Sequence, residues 1–336
     1  MEPATMMMRQ AVIAAPDRFE VRDAPRPTGP LVLRTAACGI CSGDLMPWYL
    51  AKKVGTVFGH EPVGRAVHVA GLSHLHEGDL VFVHHHAPCL TCAECVRGAY
   101  VHCPTWKRTR LDPGGMAEFI AVSREMATND CFAVNDLTPE QALFIEPLGC
   151  CAKALARSGH AERVVVVGCG VMGLLNVQAA RAAGASEVIA VEPDAHRREW
   201  ARQAGADLVL TPEQAAGECR QWADMVMIGP GFPEVIRAAL DYVRPAGVAC
   251  LFTPTATGVL TSLDLGEYYF REVSLVPSYS CGPTDTRRAY EWIRTRAVRP
   301  EMFITHRYRL DDIQTAYNAA RSGGEVIKAI VTFPGD

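Results

Sequence analysis

The stretch that decides the fold of this chain is Val164-Val-Val-Val-Gly-Cys-Gly-Val-Met-Gly173. The valines predict a short buried strand, the glycines a tight turn, and the apolar pattern that follows as far as Ala183 a helix. Glycines at this spacing let the backbone approach a pyrophosphate at a helix N-terminus. A dinucleotide site is therefore expected at the turn, with these contact residues: Gly168, Gly170, Val171, Met172 and Gly173.

An acidic residue follows the turn at the distance that a dinucleotide site requires. Glu192 ends the next predicted strand, Val188–Val191, roughly 20 residues further along the chain. A carboxylate at this place binds the ribose hydroxyls of an adenosine and repels a 2′-phosphate. The sequence therefore favours NAD over NADP.

Composition excludes several classes of partner. The 336 residues are 49% hydrophobic and 21% charged, with a formal net charge of −4, so neither nucleic acid nor a membrane is expected as a partner. No apolar run is long enough to span a bilayer. Met1–Thr5 shows no secretion signal, and Met6, Met7 and Met8 leave the start codon open. Thirteen cysteines, an odd number with several at metal-ligand spacing, indicate a reducing cytoplasm.

Strands alternate with helices from Arg163 onward, which predicts an α/β fold with a doubly wound parallel sheet. The predicted strands are Val164–Val167, Glu187–Val191, Asp207–Leu210, Met225–Ile228, Val248–Phe252 and Val273–Val276. Helices are predicted over 172–183, 194–204, 233–243 and 284–296. Before and after this region the pattern is different, with glycine-rich corners and short apolar runs that predict a smaller β-rich domain.

Four cysteines make the most specific metal signal in the chain. They follow the pattern C-x2-C-x2-C-x7-C in a loop with little hydrophobic pattern: Cys89, Cys92, Cys95 and Cys103. Four thiolates suit a closed tetrahedral zinc site, which would stabilise a loop that has no core of its own. A histidine run, His84-His-His86, precedes the loop, and strand alternation would point its middle ring away from the other two.

The chain resembles the zinc-containing medium-chain alcohol and polyol dehydrogenases, most closely the sorbitol and threonine dehydrogenase branches. Beyond the four cysteines and the glycine turn, the motifs that carry the resemblance are Cys-Gly-Ile-Cys-x-x-Asp (38–44), Gly-His-Glu-x-x-Gly (59–64), Gly-Asp-Leu-Val (78–81), Glu-Pro-Leu (146–148) and Ile-Thr-His-Arg (304–307). The resemblance implies a GroES-like catalytic domain (1–147, with a zinc lobe at 89–103), a Rossmann NAD-binding domain (148–280) and a return to the catalytic domain (281–336).

The resemblance also implies a catalytic zinc in addition to the zinc of the lobe, two ions per chain. Cys41 and His60 match two of the ligands, and either Glu61 or Glu146 supplies a third. A carboxylate in place of a second thiolate makes the site harder, which suits hydroxyl-rich substrates. Asp44 is expected to accept a hydrogen bond from the other His60 nitrogen.

One departure from the family concerns the proton relay. Relatives carry Ser or Thr two residues after the zinc cysteine, where this chain has Gly43, and the serine stands one residue earlier, at Ser42. Either Ser42 relays the proton through a shifted loop, or water and one of the two carboxylates, Glu61 or Glu146, do so. We favour water and a carboxylate.

The resulting expectation is a zinc-dependent dehydrogenase that transfers hydride between NAD and a secondary alcohol of the polyol, sugar or cyclitol type, or the corresponding ketone. The alternatives are an amino-alcohol dehydrogenase of the threonine type and, in another class, a non-catalytic protein that binds NAD and zinc. Two basic residues, Arg197 and Lys328, match positions that contact the ribose and the pyrophosphate in relatives. Relatives also imply a homodimer or a homotetramer.

Overall fold

The structure is a computed structural model that describes residues 6–334. The expectation that no secretion signal is present falls on Met1–Thr5, which lie outside the described residues. The chain divides into two compact units. The first comprises Met1–Pro147, Cys281–Tyr290 and Pro300–Asp336, and the second comprises Leu148–Ser280 and Glu291–Arg299.

Fifteen strands form within the described residues. They are β1 (Met7–Ala15), β2 (Arg18–Pro25), β3 (Leu31–Gly39), β4 (Glu61–Val69), β5 (Leu80–Val83), β6 (Phe119–Val122), β7 (Cys131–Ala133), β8 (Arg163–Val167), β9 (Glu187–Val191), β10 (Leu208–Leu210), β11 (Ala223–Ile228), β12 (Val243–Leu251), β13 (Ser274–Pro277), β14 (Ile304–Tyr308) and β15 (Lys328–Thr332).

The α-helices of the same part of the chain are α1 (Pro47–Leu50), α2 (Ala93–Val96), α3 (Pro104–Arg108), α4 (Arg124–Asn129), α5 (Pro139–Ala142), α6 (Ile145–Ser158), α7 (Val171–Ala182), α8 (Ala195–Gln203), α9 (Pro212–Glu218), α10 (Pro233–Leu240), α11 (Leu265–Phe270), α12 (Pro283–Arg294) and α13 (Ile313–Ser322). Short 3-10 turns occupy Ser42–Leu45, Ala51–Lys53, Tyr100–His102, Pro300–Phe303 and Leu310–Asp312. Among the described residues, no helix combines the length and the apolar character that crossing a membrane requires.

The first unit is built on a seven-stranded sheet. Its strands follow the order β14-β15-β3-β4-β5-β7, and β6 pairs with β3 off this path. Strand β3 is antiparallel to β4 and to β15, so that Gly39 faces Glu61 on one side and Ile330 on the other. The C-terminal strand thus lies beside the strand that leads to Cys41, although nearly 300 residues separate them in sequence.

The second unit contains a six-stranded parallel sheet in the order β10-β9-β8-β11-β12-β13. Val164–Val167 are buried, as expected for a central strand with both faces covered. The strand order reverses between β8 and β11, and in such sheets ligands bind outside the carboxyl ends of the strands at this point. The glycine turn begins there, immediately after β8.

The predicted α/β class, with a β-rich part and a parallel sheet, is confirmed. Two helices of the second unit were not predicted, α9 and α11, because each is short and its apolar residues do not form a clear stripe. Strand β12 also begins at Val243, five residues before its predicted start. The intervening Arg244-Pro-Ala-Gly247 resembles a turn, and Ala246 does adopt a positive φ of 59°.

The glycine turn shows why two of its positions have no side chain. Gly168 has a φ of 86°, a conformation that costs other residues energy. At Gly173 a Cβ would lie 1.8 Å from the carbonyl oxygen of Gly168, so helix α7 could not pack this closely on the turn. Gly170 differs, because it has an ordinary φ of −67° and a Cβ there would meet no described atom within 4 Å.

We predict that Gly173→Ala destabilises the protein and that Gly170→Ala does not. The Gly173 clash involves backbone rather than a flexible side chain, so a cost of at least about 1–3 kcal/mol is expected. Gly170→Ala should remain within about 0.5 kcal/mol of wild type. Thermal or denaturant unfolding of both variants measures this difference, and equal stability of the two would contradict the close packing of α7.

Candidate functional site

A buried carboxylate orients the histidine that sequence predicts as a zinc ligand. Asp44 lies in the 3-10 turn Ser42–Leu45, and its side chain is 1% exposed. Its Oδ2 is 3.0 Å from Nδ1 of His60, and Lys53 Nζ donates to its Oδ1 at 2.8 Å. A carboxylate on one ring nitrogen fixes the tautomer and leaves the other nitrogen available to a metal. The predicted role of Asp44 therefore has the geometry it needs.

The charges around His60 favour a cation there. Burial alone would lower the pKa of His60, but the Asp44 carboxylate and the Cys41 sulfur outweigh burial and raise the pKa well above its usual value. Burial would likewise raise the pKa of Asp44, and His60 and Lys53 lower it instead. A divalent ion on His60 and Cys41 would satisfy the same negative environment.

Three predicted ligand residues come together in the first unit. One ligand atom from each of Cys41, His60 and Glu61 lies within 4.8 Å of the others. The N–H of Gly43 points toward Cys41 Sγ at 3.4 Å, a contact that stabilises a thiolate. Ser42 is exposed to solvent, and Gly43 has no hydroxyl to offer. These side chains thus provide sulfur, nitrogen and oxygen, a set that suits zinc.

Glu61 is held from the other side by a lysine. Lys328 Nζ lies 2.5 Å from Glu61 Oε2 and donates to the Ile40 carbonyl at 3.0 Å. Both charged side chains are 1% exposed. The resemblance implies that Lys328 contacts a pyrophosphate. In this structure its ammonium group is buried and contacts the Glu61 carboxylate and the Ile40 carbonyl.

Glu146 belongs to a neighbouring group. Its carboxylate, 5% exposed near the start of α6, lies within 4.8 Å of ligand atoms of His84 and His85. The ring of His85 is 4.9 Å from that of His60 between centroids. Burial raises the pKa of Glu146, and burial together with His84 lowers the pKa of His85 well below its usual value. Glu61 and Glu146, the two carboxylates predicted as alternative third ligands, therefore lie in two adjacent groups of side chains rather than in a single group.

The three histidines of the run each contact a different partner, which the sequence did not indicate. Strand β5 ends at Val83, so strand alternation no longer governs the three rings, and each has a different partner. His84 lies by Asp130, His85 by Glu146, and His86 Nδ1 lies 2.5 Å from the Thr109 carbonyl oxygen. Sequence analysis missed Asp130, Cys281 and Thr286, which surround His84. The one available signal was the run of histidines directly after an apolar strand.

The four lobe cysteines form a compact cluster, with ligand atoms all within 4.8 Å of one another. The Sγ atoms of Cys92 and Cys95 are 3.5 Å apart, and those of Cys89 and Cys103 are 3.6 Å apart. Sulfurs at a tetrahedral zinc are separated by about 3.8 Å. The Thr91 hydroxyl and nearby backbone N–H groups lower the pKa of Cys89 to about 5, so its thiolate is present at neutral pH. The cluster fits the predicted structural zinc.

In the second unit, the Glu192 carboxylate accepts backbone hydrogen bonds at the glycine turn. Its carboxylate accepts the N–H of Cys169 at 2.7 Å and that of Asp194 at 3.0 Å, and the residue is 4% exposed. Helix α7 begins without a side-chain cap, so the N–H groups of its first turn remain available to an anion. Val171 is buried, Met172 and Arg197 are half-buried, and Arg197 N–H donates to Asp194 at the start of α8. These residues fit a dinucleotide.

Comparison with known proteins identifies the family. The family described as alcohol dehydrogenase GroES-like domain matches residues 27–136, and zinc-binding dehydrogenase matches residues 171–295. The chain is 33% identical to an L-threonine 3-dehydrogenase from Pyrococcus horikoshii over 91% of this chain and 92% of that one. It is 28% identical to a sorbitol dehydrogenase from Ovis aries, with 93% of each chain covered.

A solved structure extends the likeness to three dimensions. A zinc-binding dehydrogenase from Sinorhizobium meliloti 1021, bound to NADP, superposes with a TM-score of 0.86 at 26% identity and covers 98% of this chain and 100% of its own. The chain therefore belongs to the zinc-binding medium-chain alcohol dehydrogenases. It is a zinc-dependent NAD(P) dehydrogenase of the polyol and threonine dehydrogenase branch.

Proposed function

We propose that this enzyme oxidises a secondary alcohol in a polyol, sugar or cyclitol with NAD⁺ and reduces the corresponding ketone in reverse. The observation that carries the proposal is the group formed by Cys41, His60 and Glu61, with His60 oriented by Asp44. None of the thirteen cysteines, all of which lie within residues 6–334, forms a disulfide, which supports a reducing, cytoplasmic location.

Each residue of this group has a proposed role. Cys41 and His60 bind the catalytic zinc, and Glu61 or Glu146 completes the set, while Asp44 keeps the ligating nitrogen of His60 unprotonated and correctly aimed. Zinc, when bound, acts as a Lewis acid on the substrate hydroxyl, and NAD⁺ accepts the hydride. The chain's own contribution is to orient the hydroxyl and to take its proton.

The proton is proposed to leave through water and a carboxylate. Gly43 has no hydroxyl, and Ser42 is exposed to solvent. Glu61 and Glu146 are both buried, and both lie among the metal-ligand side chains. A carboxylate beside His60 is thus better placed than Ser42 to pass a proton onward.

The substrate class rests on the ligand set and on the relatives. A site with a carboxylate favours oxygen-rich ligands, and the relatives include a sorbitol dehydrogenase and a galactitol 1-phosphate 5-dehydrogenase. An amino alcohol remains the second candidate because L-threonine 3-dehydrogenases match at up to 33% identity. A non-catalytic binding protein is disfavoured, because the Cys41, His60 and Glu61 set is intact.

A screen of NAD⁺ reduction tests the proposal. We expect turnover with at least one polyol, sugar alcohol or cyclitol and less with threonine, since no feature of the described site selects an amino group. Cys41→Ser should remove most of the activity, by roughly 100-fold or more, because it removes a metal ligand.

Ser42→Ala is the matched control for Cys41→Ser, because it changes the neighbouring exposed residue and no predicted ligand. It should retain near-wild-type turnover across the pH range if water and a carboxylate take the proton. A large loss would assign the relay to Ser42 instead. Activity on threonine alone would replace the polyol proposal with the amino-alcohol one, and no activity in any class would favour a binding protein.

We further propose that NAD is preferred over NADP by at least tenfold, about 1.4 kcal/mol. Glu192 supports this preference, because its carboxylate is buried at the end of β9 beside the turn and would repel a 2′-phosphate. The preference is measured as the ratio of kcat/KM for the two cofactors. Equal values for NAD⁺ and NADP⁺ would refute the role given to Glu192.

A homo-oligomer is proposed from one edge of the second unit's sheet. Strand β13 is the last strand of the sheet order, and Leu275 on it is 44% exposed. The preceding helix α11 exposes Leu265 by 72% and Phe270 by 86%. An unpaired strand edge with apolar neighbours is suited to pairing with the same edge of a second copy around a twofold axis.

Leu275→Asp is expected to shift the protein toward the 36.5 kDa monomer, because two like charges would meet across the paired edges. Light scattering at a fixed concentration measures the mass. Leu208→Asp on β10, at the opposite edge of the sheet and 38% exposed, is the matched control and should leave the mass unchanged. The same mass for both variants would contradict pairing through β13.

A further inference from the structure

Three basic side chains follow the last cysteine of the zinc lobe. Lys107 and Arg108 end helix α3, and Arg110 stands two positions further along the chain, with all three exposed to solvent. Within residues 6–334 none of the three forms an ion pair, whereas Arg97 of the same lobe pairs with Glu94. The positive charge of this basic cluster is therefore available to a ligand.

The hydrogen bonds of the two arginines leave donors for an anion. Arg110 Nη1 donates to the carbonyl oxygens of Lys107 and Thr109 at 3.2 Å and 3.4 Å. Arg108 Nη2 donates to the Thr105 hydroxyl at 3.5 Å. A guanidinium has five N–H donors in a planar fork that matches the oxygens of a phosphate. An anion could therefore bind without breaking the present contacts.

Buried contacts fix the basic cluster beside the histidine run. The Trp106 ring is 4% exposed and lies 4.2 Å from the His86 ring between centroids. The Thr109 carbonyl oxygen lies 2.5 Å from His86 Nδ1, and the Thr109 hydroxyl accepts the N–H of Ala87 at 2.9 Å. Burial lowers the pKa of His86 to about 4, and the nearby charge of Arg110 contributes to this shift. Arg110 thus lies close to the histidine run.

The histidine run leads from the basic cluster to the proposed zinc ligands. Ring centroids are 4.6 Å apart for His86 and His85, and 4.9 Å apart for His85 and His60. All three rings are half-buried, so a ligand can reach them. Because the Thr109 carbonyl can only accept a hydrogen bond, His86 Nδ1 carries the proton and Nε2 can accept one from a hydroxyl. Polar groups suited to a chain of hydroxyls therefore lie between His60 and the basic cluster.

We propose that Lys107, Arg108 and Arg110 bind the phosphate of a phosphorylated polyol whose secondary hydroxyl lies at the Cys41 group. This inference rests on the proposed function, because it names the substrate class of the same site. A phosphate monoester carries nearly two negative charges at neutral pH, and several adjacent cations offset that charge. Charge-assisted hydrogen bonds from arginine to phosphate are strong and fix the orientation of the ligand.

A nucleic acid is a poorer occupant of the basic cluster. Single-stranded nucleic acids bind through exposed aromatic rings on which bases stack, in addition to cations. Trp106 is the aromatic residue of this segment, and it is buried against His86. The formal net charge of the chain is also −4, which does not favour a polyanion. The arrangement instead suits a small ligand with one anionic end and several hydroxyls.

Paired substrates test the proposal with the wild-type holoenzyme. Sorbitol, galactitol and myo-inositol are each compared with their own monophosphate in NAD⁺ reduction. For at least one pair we expect kcat/KM to be about tenfold higher or more for the phosphate ester, mainly through KM, because the phosphate binds equally in the ground and transition states. The gain should decrease with added salt. No gain in any pair would overturn the proposal, and so would an equal gain with the carboxylate gluconate.

Arg110→Gln tests the residue closest to the histidine run. It should raise KM for the preferred phosphate ester by roughly tenfold and leave the parent polyol unaffected. Arg124→Gln is the matched control, because Arg124 is another exposed arginine of the first unit that donates to two backbone carbonyls, those of Ala70 and Gly71. It should keep the wild-type preference. Equal effects of the two substitutions would contradict a local phosphate site.

Calorimetric titration distinguishes a failure of this inference from a failure of the proposed function. Inorganic phosphate and each monophosphate are titrated into the zinc-loaded protein with NADH. Binding that is weakened by Arg110→Gln and not by Arg124→Gln, without turnover of any polyol, would support the phosphate site and refute the proposed reaction. Turnover of free polyols, with the esters bound no more tightly than their parents, would overturn the phosphate site alone. Neither binding nor turnover would overturn both.

Discussion

The buried ion pair between Glu61 and Lys328 is the interaction on which the first unit depends. It connects β4 to the C-terminal strand β15 across the end of β3, and Lys328 also binds the carbonyl of Ile40. Removing one partner of such a pair leaves an uncompensated buried charge, at a cost of about 3–5 kcal/mol. Gly39 is constrained by the same pair, because a Cβ there would lie 2.0 Å from Glu61 Oε2. The glycine between Cys38 and Ile40 is thus explained by two charges from distant parts of the chain.

This pair also determines what charge is available to a metal. Glu61 presents one oxygen to Lys328 and stands in the group with Cys41 and His60, so its negative charge is shared. The Asp44 carboxylate likewise contacts both His60 and Lys53, so its negative charge is shared between them. Glu61 and Asp44 are therefore each partly neutralised by a lysine, which would make a zinc ion held by the proposed ligands a stronger Lewis acid. In the proposed site the two lysines would act on the metal only through these carboxylates.

The features that could be predicted from the sequence are those encoded by short contiguous motifs. The glycine turn, the four-cysteine lobe and the neighbours Cys41, His60 and Glu61 each lie within or beside a contiguous pattern, and the parallel sheet followed from alternating apolar runs. The surroundings of His84 could not be predicted in this way. Asp130, Cys281 and Thr286 lie 46 to 202 residues away in sequence from His84, and no spacing rule relates them. Similarly, the burial of Lys328 depends on β15 pairing with β3, which a single sequence pattern does not reveal.

The first unit contains the same local arrangement twice, a cysteine and a histidine whose Nδ1 faces a buried aspartate. What separates the two copies is exposure. In the first copy Cys41 is partly exposed and the His60 side chain is 16% exposed, whereas His84 and Cys281 are 0% exposed. A catalytic zinc needs an open coordination position for substrate, and a structural zinc needs none. Of the two copies, the Cys41 copy is therefore the one suited to the proposed catalytic zinc.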